Sequence, residues 1–171
     1  FPGVGGMTMK TPMTSIALLL AMAGSAAAAD STPVETTTRF YHWAISAGAQ
    51  PDAMPVRELL STELFDLLAA QVAHERACVA VTPPDEKPYM LDQSPFFLWP
   101  EGAQSWLIHS EERYGERARV EVALRYDELN WIDGAVLIRE GERWVLQDLQ
   151  WEQGGLRERL QDFLSMPCLP D

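Results

Sequence analysis

The sequence predicts an α+β domain, with N-terminal helices packed on a four-stranded antiparallel sheet and a C-terminal helix closing it. Three observations predict this. Apolar residues recur at helical spacing through residues 32–78, give way to alternation and short apolar runs over 103–149, and return to helical spacing over 156–164. The β-like segments are joined by turns of a few residues, and short connections make neighbouring strands antiparallel. Helices gathered on one face of such a sheet give the α+β class.

The first helix starts at Thr32-Pro33-Val34-Glu35. Thr32 can cap it, Pro33 suits the first turn, and Glu35 stands where a capping box needs an acid. It is expected to run to about Ala47 and stop at Gly48. Val34, Thr38, Tyr41 and Ile45 share one face, which Phe40 and Ala44 widen. Residues 50–55 form a loop, and Pro55 opens a short helix over 56–60. Ser61 or Thr62 starts a longer helix that ends near Cys78, with Leu64, Leu67, Leu68, Gln71 and Val72 on one side. Glu75, Arg76 and His74 are read as its solvated face.

Residues 82–100 hold five prolines together with Tyr89, Phe96, Phe97 and Trp99. A loop this long in a compact domain is usually functional or mobile. Its aromatic side chains either tuck into the core or line a rim. Four strands follow. Residues 104–112 form the first and Tyr114-Gly115-Glu116 its turn. Residues 117–127 form the clearest, with Ala118, Val120, Val122, Leu124 and Tyr126 alternating against Arg119, Glu121, Ala123 and Arg125. The third contains the run Ala135-Val136-Leu137-Ile138, which suits a strand covered on both faces. Gly141 supplies a turn residue able to take positive φ. In the fourth, Trp144, Leu146 and Asp148 alternate with Val145 and Gln147, and Trp144 is expected in the core. Gly154-Gly155 ends it. Leu156, Leu160, Phe163 and Leu164 then form the apolar stripe of the last helix, which ends before Pro167.

Residues 1–29 read as a leader and signal peptide, and 30–171 as one domain. Met9-Lys10 is a short basic start, Ile16 to Ala23 an apolar core, and Ala27-Ala28-Ala29 a small-residue cleavage site before Asp30. The apolar run is too short for a membrane anchor. The chain carries a net charge of −12, and removing 1–29, whose one charged side chain is Lys10, takes it to −13. Such a chain repels phosphate backbones and anionic lipid, so nucleic acid and membrane surfaces are poor partners. The charge serves solubility or a basic protein partner. In an exported protein the pair Cys78 and Cys168 reads first as a disulfide, with two buried free thiols as the competing arrangement. No metal is expected: His42, His74 and His109 are far apart in sequence, and no CxxC occurs.

Catalytic signatures are equally sparse. There is no GxSxG and no glycine-rich phosphate loop with a lysine. Glu111-Glu112 and Asp127-Glu128 are adjacent carboxylates of a kind that mostly faces water. A single acid in an apolar cavity would suffice for isomerase chemistry, and Asp148 is the candidate. The reading favoured for it is a structural ion pair with Arg157 or a nearby arginine. No cofactor is called for.

Phe40-Tyr41-x-Trp43, Asp92-Gln93-Ser94-Pro95-Phe96, the strand Trp144-Val145-Leu146-Gln147-Asp148-Leu149 and the following Leu156-Arg157 resemble a family of exported bacterial domains of unknown function with a nuclear-transport-factor-2-like fold. The resemblance spans about residues 33–164. The departures are Gln93-Ser94 between the aspartate and the Pro-Phe pair, and the absence of a lipobox cysteine, which argues for a free periplasmic protein. The resemblance implies a curved, cone-like sheet wrapped round a long helix. Relatives of that fold include dehydratases, isomerases and epoxide hydrolases as well as binding domains. Fold alone does not choose between them.

The expectation is therefore a periplasmic or secreted bacterial domain that binds a protein partner or a small apolar ligand without catalysis, an immunity or inhibitor protein among the possibilities. Candidate binding residues are Tyr41, Tyr89, Phe97 and Trp99. A cone-fold lyase, isomerase or hydrolase using a buried carboxylate is the alternative, and an envelope-assembly component a third.

Overall fold

The computed structural model describes residues 2–3, 31–46 and 54–168. The leader assigned to 1–29 lies outside the described residues except for Pro2 and Gly3, as does the expected helix stop at Gly48. Helix α1 spans Pro33–Ser46, α2 Thr62–Val81 and α3 Leu156–Ser165. The strands are β1 Ser105–Tyr114, β2 Arg117–Tyr126, β3 Leu129–Glu140 and β4 Arg143–Gln150. They form one sheet in the order β1-β2-β3-β4, antiparallel throughout. The α+β class and four-strand order match the sequence expectation.

The capping box forms as read: the Thr32 backbone N–H donates to Glu35 Oε2 at 2.8 Å, and the Glu35 N–H to Thr32 Oγ1 at 3.1 Å. The buried face of α1 is rotated from the expected one. It consists of Pro33, Thr36, Thr37, Phe40, Tyr41 and Ala44. Two threonines are tolerated there because their hydroxyls are satisfied, Thr36 by the Trp144 carbonyl at 2.8 Å and Thr37 by that of Pro33 at 2.8 Å. The short helix expected over 56–60 is present but is tighter and shorter than read. Arg57–Leu59 is a single 3-10 turn, and Leu60 is extended so that it bridges Leu146 in parallel. The Ser61 N–H then donates to the Leu146 carbonyl at 2.8 Å, which covers part of the outer edge of β4. Ser61 caps α2 by accepting from the Leu64 N–H.

The core lies between the sheet and the helices. Phe40, Tyr41, Leu64, Leu68, Phe96, Phe97, Val120, Val122, Leu124, Leu137, Leu146, Leu156 and Leu160 belong to one buried cluster. Opposed residues of an antiparallel ladder share a face. Val120–Ala135, Val122–Asp133 and Leu124–Trp131 are such pairs, and all face this core side. Gly115 and Gly141 take positive φ at the first position of two-residue turns. Asp127 does so at the third, where Gln104 holds it by accepting from its N–H and donating to its carboxylate.

Two bulges reset the alternation. His109 is extra in β1, and Gln147 is extra in β4, where Leu137 pairs with Leu146 but Val136 pairs with Asp148. Asp148 therefore faces away from Leu146, not with it as strict alternation implies. Cys78 and Cys168 are bonded, with Cα atoms 4.8 Å apart, and tie the last turn of α2 to the tail after α3. Closing a loop of this length contributes about 2–4 kcal/mol. Protein isolated without reductant is expected to show no titratable thiol after denaturation, and to melt lower once reduced. Two free thiols in the unreduced protein would exclude the bond. No helix among the described residues is long and apolar enough to cross a membrane.

Candidate functional site

Two places concentrate unusual chemistry, one inside the core and one at the end of the sheet where β2 turns into β3. The interior one is built on Asp133, which is 0 % exposed. Odd-numbered residues of β3 face the core, so Asp133 shares that face with Trp131, Ala135 and Leu137 and stands opposite Val122. Tyr41 reaches it from α1, its hydroxyl donating to Asp133 Oδ2 at 3.2 Å. The indole N–H groups of Trp131 and Trp151 lie near enough to favour the charged carboxylate. Neither makes a hydrogen bond of normal geometry, and Asp133 Oδ1 has no partner among the described residues. Desolvation dominates and pushes the Asp133 pKa up to about 7, against the Tyr41, Trp131 and Trp151 donors. Burial, and then the adjacent carboxylate, push the Tyr41 phenol well above its ordinary range. Phe40 and Trp106 pack on Tyr41, with ring centroids 5.3 and 6.2 Å away. None of the surface hollows described below is lined by Asp133 or Tyr41.

Sequence reasoning chose Asp148 as the candidate acid and passed over Asp133. The carboxylate of Asp148 accepts from the Arg157 backbone N–H at 3.0 Å, at the start of α3. Burial raises its pKa, while the backbone N–H groups of Arg157, Leu149 and Leu156 and the Arg157 charge oppose the rise. It caps a helix. The expected partnership with Arg157 is thus made through the main chain, since the Arg157 guanidinium pairs with Glu63 instead.

The long loop is divided by what it touches. Phe96 and Phe97 are core residues. Arg159 fixes them by donating to the carbonyls of Pro95 at 3.2 Å and Phe97 at 2.7 Å, with its guanidinium 4.1 Å from the centre of the Trp151 ring. Glu75 is no free surface acid, since it accepts from the Leu91 N–H at 2.8 Å. Tyr89 stacks on Phe163 at 4.7 Å, and His74 meets both rings edge-on, so His74 is half-buried rather than solvated. His74, Cys78 and Cys168 place ligand atoms within 4.8 Å of one another, but the disulfide leaves only the imidazole to bind.

Trp99 alone of the four candidate binding residues projects outward, at 45 % exposure. It lines a hollow of about 390 Å³ with Leu98, Leu129, Asn130, Trp131, Ile132 and Glu152. Leu129 and Ile132 are 54 % and 49 % exposed, so three of the large exposed apolar side chains gather in one place. Tyr89 lines a separate hollow with Met90, Met166 and Cys168, while Tyr41 and Phe97 lie beneath the surface. Trp131 belongs to both places, lining the hollow while its N–H lies near Asp133. Comparison with protein-family models, with curated proteins and with solved structures gives no match to this chain.

Proposed function

We propose that this chain is an exported, non-enzymatic binding domain with a cone-like sheet, and that it captures its partner in the hollow beside Trp99. The observation that carries the reading is the clustering of Trp99, Leu129 and Ile132, all exposed, around about 390 Å³ of space. Sites for small or peptidic ligands are concave, mostly apolar and of about this size. Tryptophan is the residue most favoured at binding hot spots. Export is supported by the basic, apolar and small-residue pattern of residues 9–29 and by a disulfide, which suits an oxidising compartment. The net charge of −12 fits an immunity or inhibitor protein that captures a basic partner.

The reading is tested with a neutral apolar dye, Nile red, as the probe. The parent protein is expected to bind it at one site, and Trp99→Ala to weaken it about tenfold or more, equivalent to about 1.4 kcal/mol. Equal binding by the variant removes the hollow from consideration. A second reading is a small lyase, isomerase or hydrolase in which Asp133, rather than the sequence candidate Asp148, takes the acid–base part. Its support is a carboxyl that titrates near 7 beside a phenol. Complete burial of both groups weighs against it. Turnover abolished by Asp133→Asn in a folded protein would put this reading first.

A further inference from the structure

We propose that the hollow beside Trp99 is a strand-acceptor site: an extended segment of a basic polypeptide adds to the free edge of β3 at Asn130–Ile132. The proposal rests on reading this hollow as the binding site and names what fills it.

The free edge follows from unequal strand lengths. β3 has 12 residues and β4 has 8, and their ladder begins only at Gly134–Gln150. Beyond Gln150 the chain turns away, with the Trp151 N–H donating to the Gly154 carbonyl at 3.2 Å. Among the described residues, Leu129–Asp133 therefore has β2 on one side and no strand on the other. Among the described residues, no backbone hydrogen bond outside the β2–β3 ladder involves 129–132. The two-residue turn between β2 and β3 makes Tyr126–Leu129 the hydrogen-bonded pair. Alternation then directs the N–H and C=O groups of Leu129 and Trp131 to β2, and those of Asn130 and Ile132 to the open side.

The hollow is lined by four consecutive residues, Leu129 to Ile132. Consecutive strand residues point to opposite faces. Only a groove running along the strand edge touches all four. Its opposite wall is already set, because Arg159 and the Gln93 amide hold the carbonyls of Phe97 and Leu98, and the Gly102 N–H holds that of Trp99 at 3.0 Å. Little ordering is left to oppose binding. A small apolar molecule would cover the walls but leave four backbone groups unpaired, whereas an added strand satisfies them and presents alternate side chains to Trp99 and Ile132. Among the described residues, the one charged residue lining the groove is Glu152, in a chain of net charge −12, so the complementary strand carries lysine or arginine among its apolar positions.

The experiment selects from a displayed library of random linear dodecapeptides on the parent protein. Enriched peptides are expected to alternate apolar residues and to include a basic one. A synthetic copy N-methylated at alternate backbone nitrogens, in the register facing the groove, is expected to bind more than tenfold more weakly, and Trp99→Ala to weaken the unmethylated peptide similarly. The Asn130 and Ile132 amides should exchange more slowly in the complex. No enrichment, enriched peptides that tolerate methylation in both registers, or a dimer of this chain paired through the same edge overturns the proposal. If Nile red binding depends on Trp99 while no peptide is enriched, the strand proposal fails and the binding-site reading stands. If both probes fail, both readings fall.

Discussion

Trp144→Ala is expected to destabilise the protein by about 3–5 kcal/mol, the usual cost of truncating a large buried aromatic side chain. Trp144 is 6 % exposed and belongs to the central cluster. Its ring packs in that cluster, with the Arg113 guanidinium of β1 over it at 5.9 Å from its centre. Its main chain is bound independently, the N–H donating to Ser31 Oγ at 3.3 Å and the carbonyl accepting from Thr36 Oγ1. The substitution leaves those partners in place, so the measured loss reports the cavity. For a domain of this size it corresponds to a fall in Tm of roughly 10–20 °C, and a marginal domain has little more than that to lose. Thermal melting of parent and variant decides it. An unchanged Tm would mean that the ring is not packed as described.

Asp133→Asn is expected to act in the opposite direction and only above a certain pH. Burial raises the Asp133 pKa from 3.8 to about 7 in the folded protein. Between those values the folded state holds a proton that the unfolded chain has released. Stability therefore falls as pH rises from about 4 to about 7, and the loss is complete above that range. The difference corresponds to a cost on the order of 4 kcal/mol at pH 8. An asparagine carries no charge to desolvate and keeps an acceptor for Tyr41. Denaturant titrations at pH 4.5 and pH 8 should show similar stabilities for the two proteins at the lower pH and a more stable variant at the higher. A variant less stable at pH 8 would mean that the Tyr41, Trp131 and Trp151 donors outweigh burial.

Much of the fold was readable because local patterns and tertiary needs agreed. The Thr32–Glu35 capping box, the clean alternation of β2 and the Gly115 and Gly141 turns each state their structure within a few residues. The Cys78–Cys168 bond was readable for a different reason, since only one pairing exists. What failed depended on distant partners. The phase of Asp148 was lost because the Gln147 bulge, invisible in composition, turns it from the core to the start of α3. The rotated face of α1 needed the Trp144 carbonyl to make Thr36 a core residue. The loop aromatics were left undecided because Arg159, over sixty residues away, sets which of them is buried. Asp133 could have been found. It lies two residues before Ala135 and four before Leu137, and that parity alone puts a carboxyl on the core face. The hollow could not, because it exists only where β3 outruns β4.

The Cys78–Cys168 bond also changes how the protein bears load. The 90-residue interval it closes holds the long loop, all four strands and α3. Tension entering upstream of α2 and leaving through the tail after Cys168 crosses from one to the other through two sulfur atoms. The covalent path bypasses the sheet, and among the described α-helices it runs through α1 and α2. Cutting the bond releases on the order of 30 nm of additional contour, at about 3.5 Å per residue. An oxidised protein pulled by its ends thus loads the sheet only sideways, through the contacts that Thr36, Tyr41 and Leu60–Ser61 make with β3 and β4, and none of its four strands lies on the covalent path.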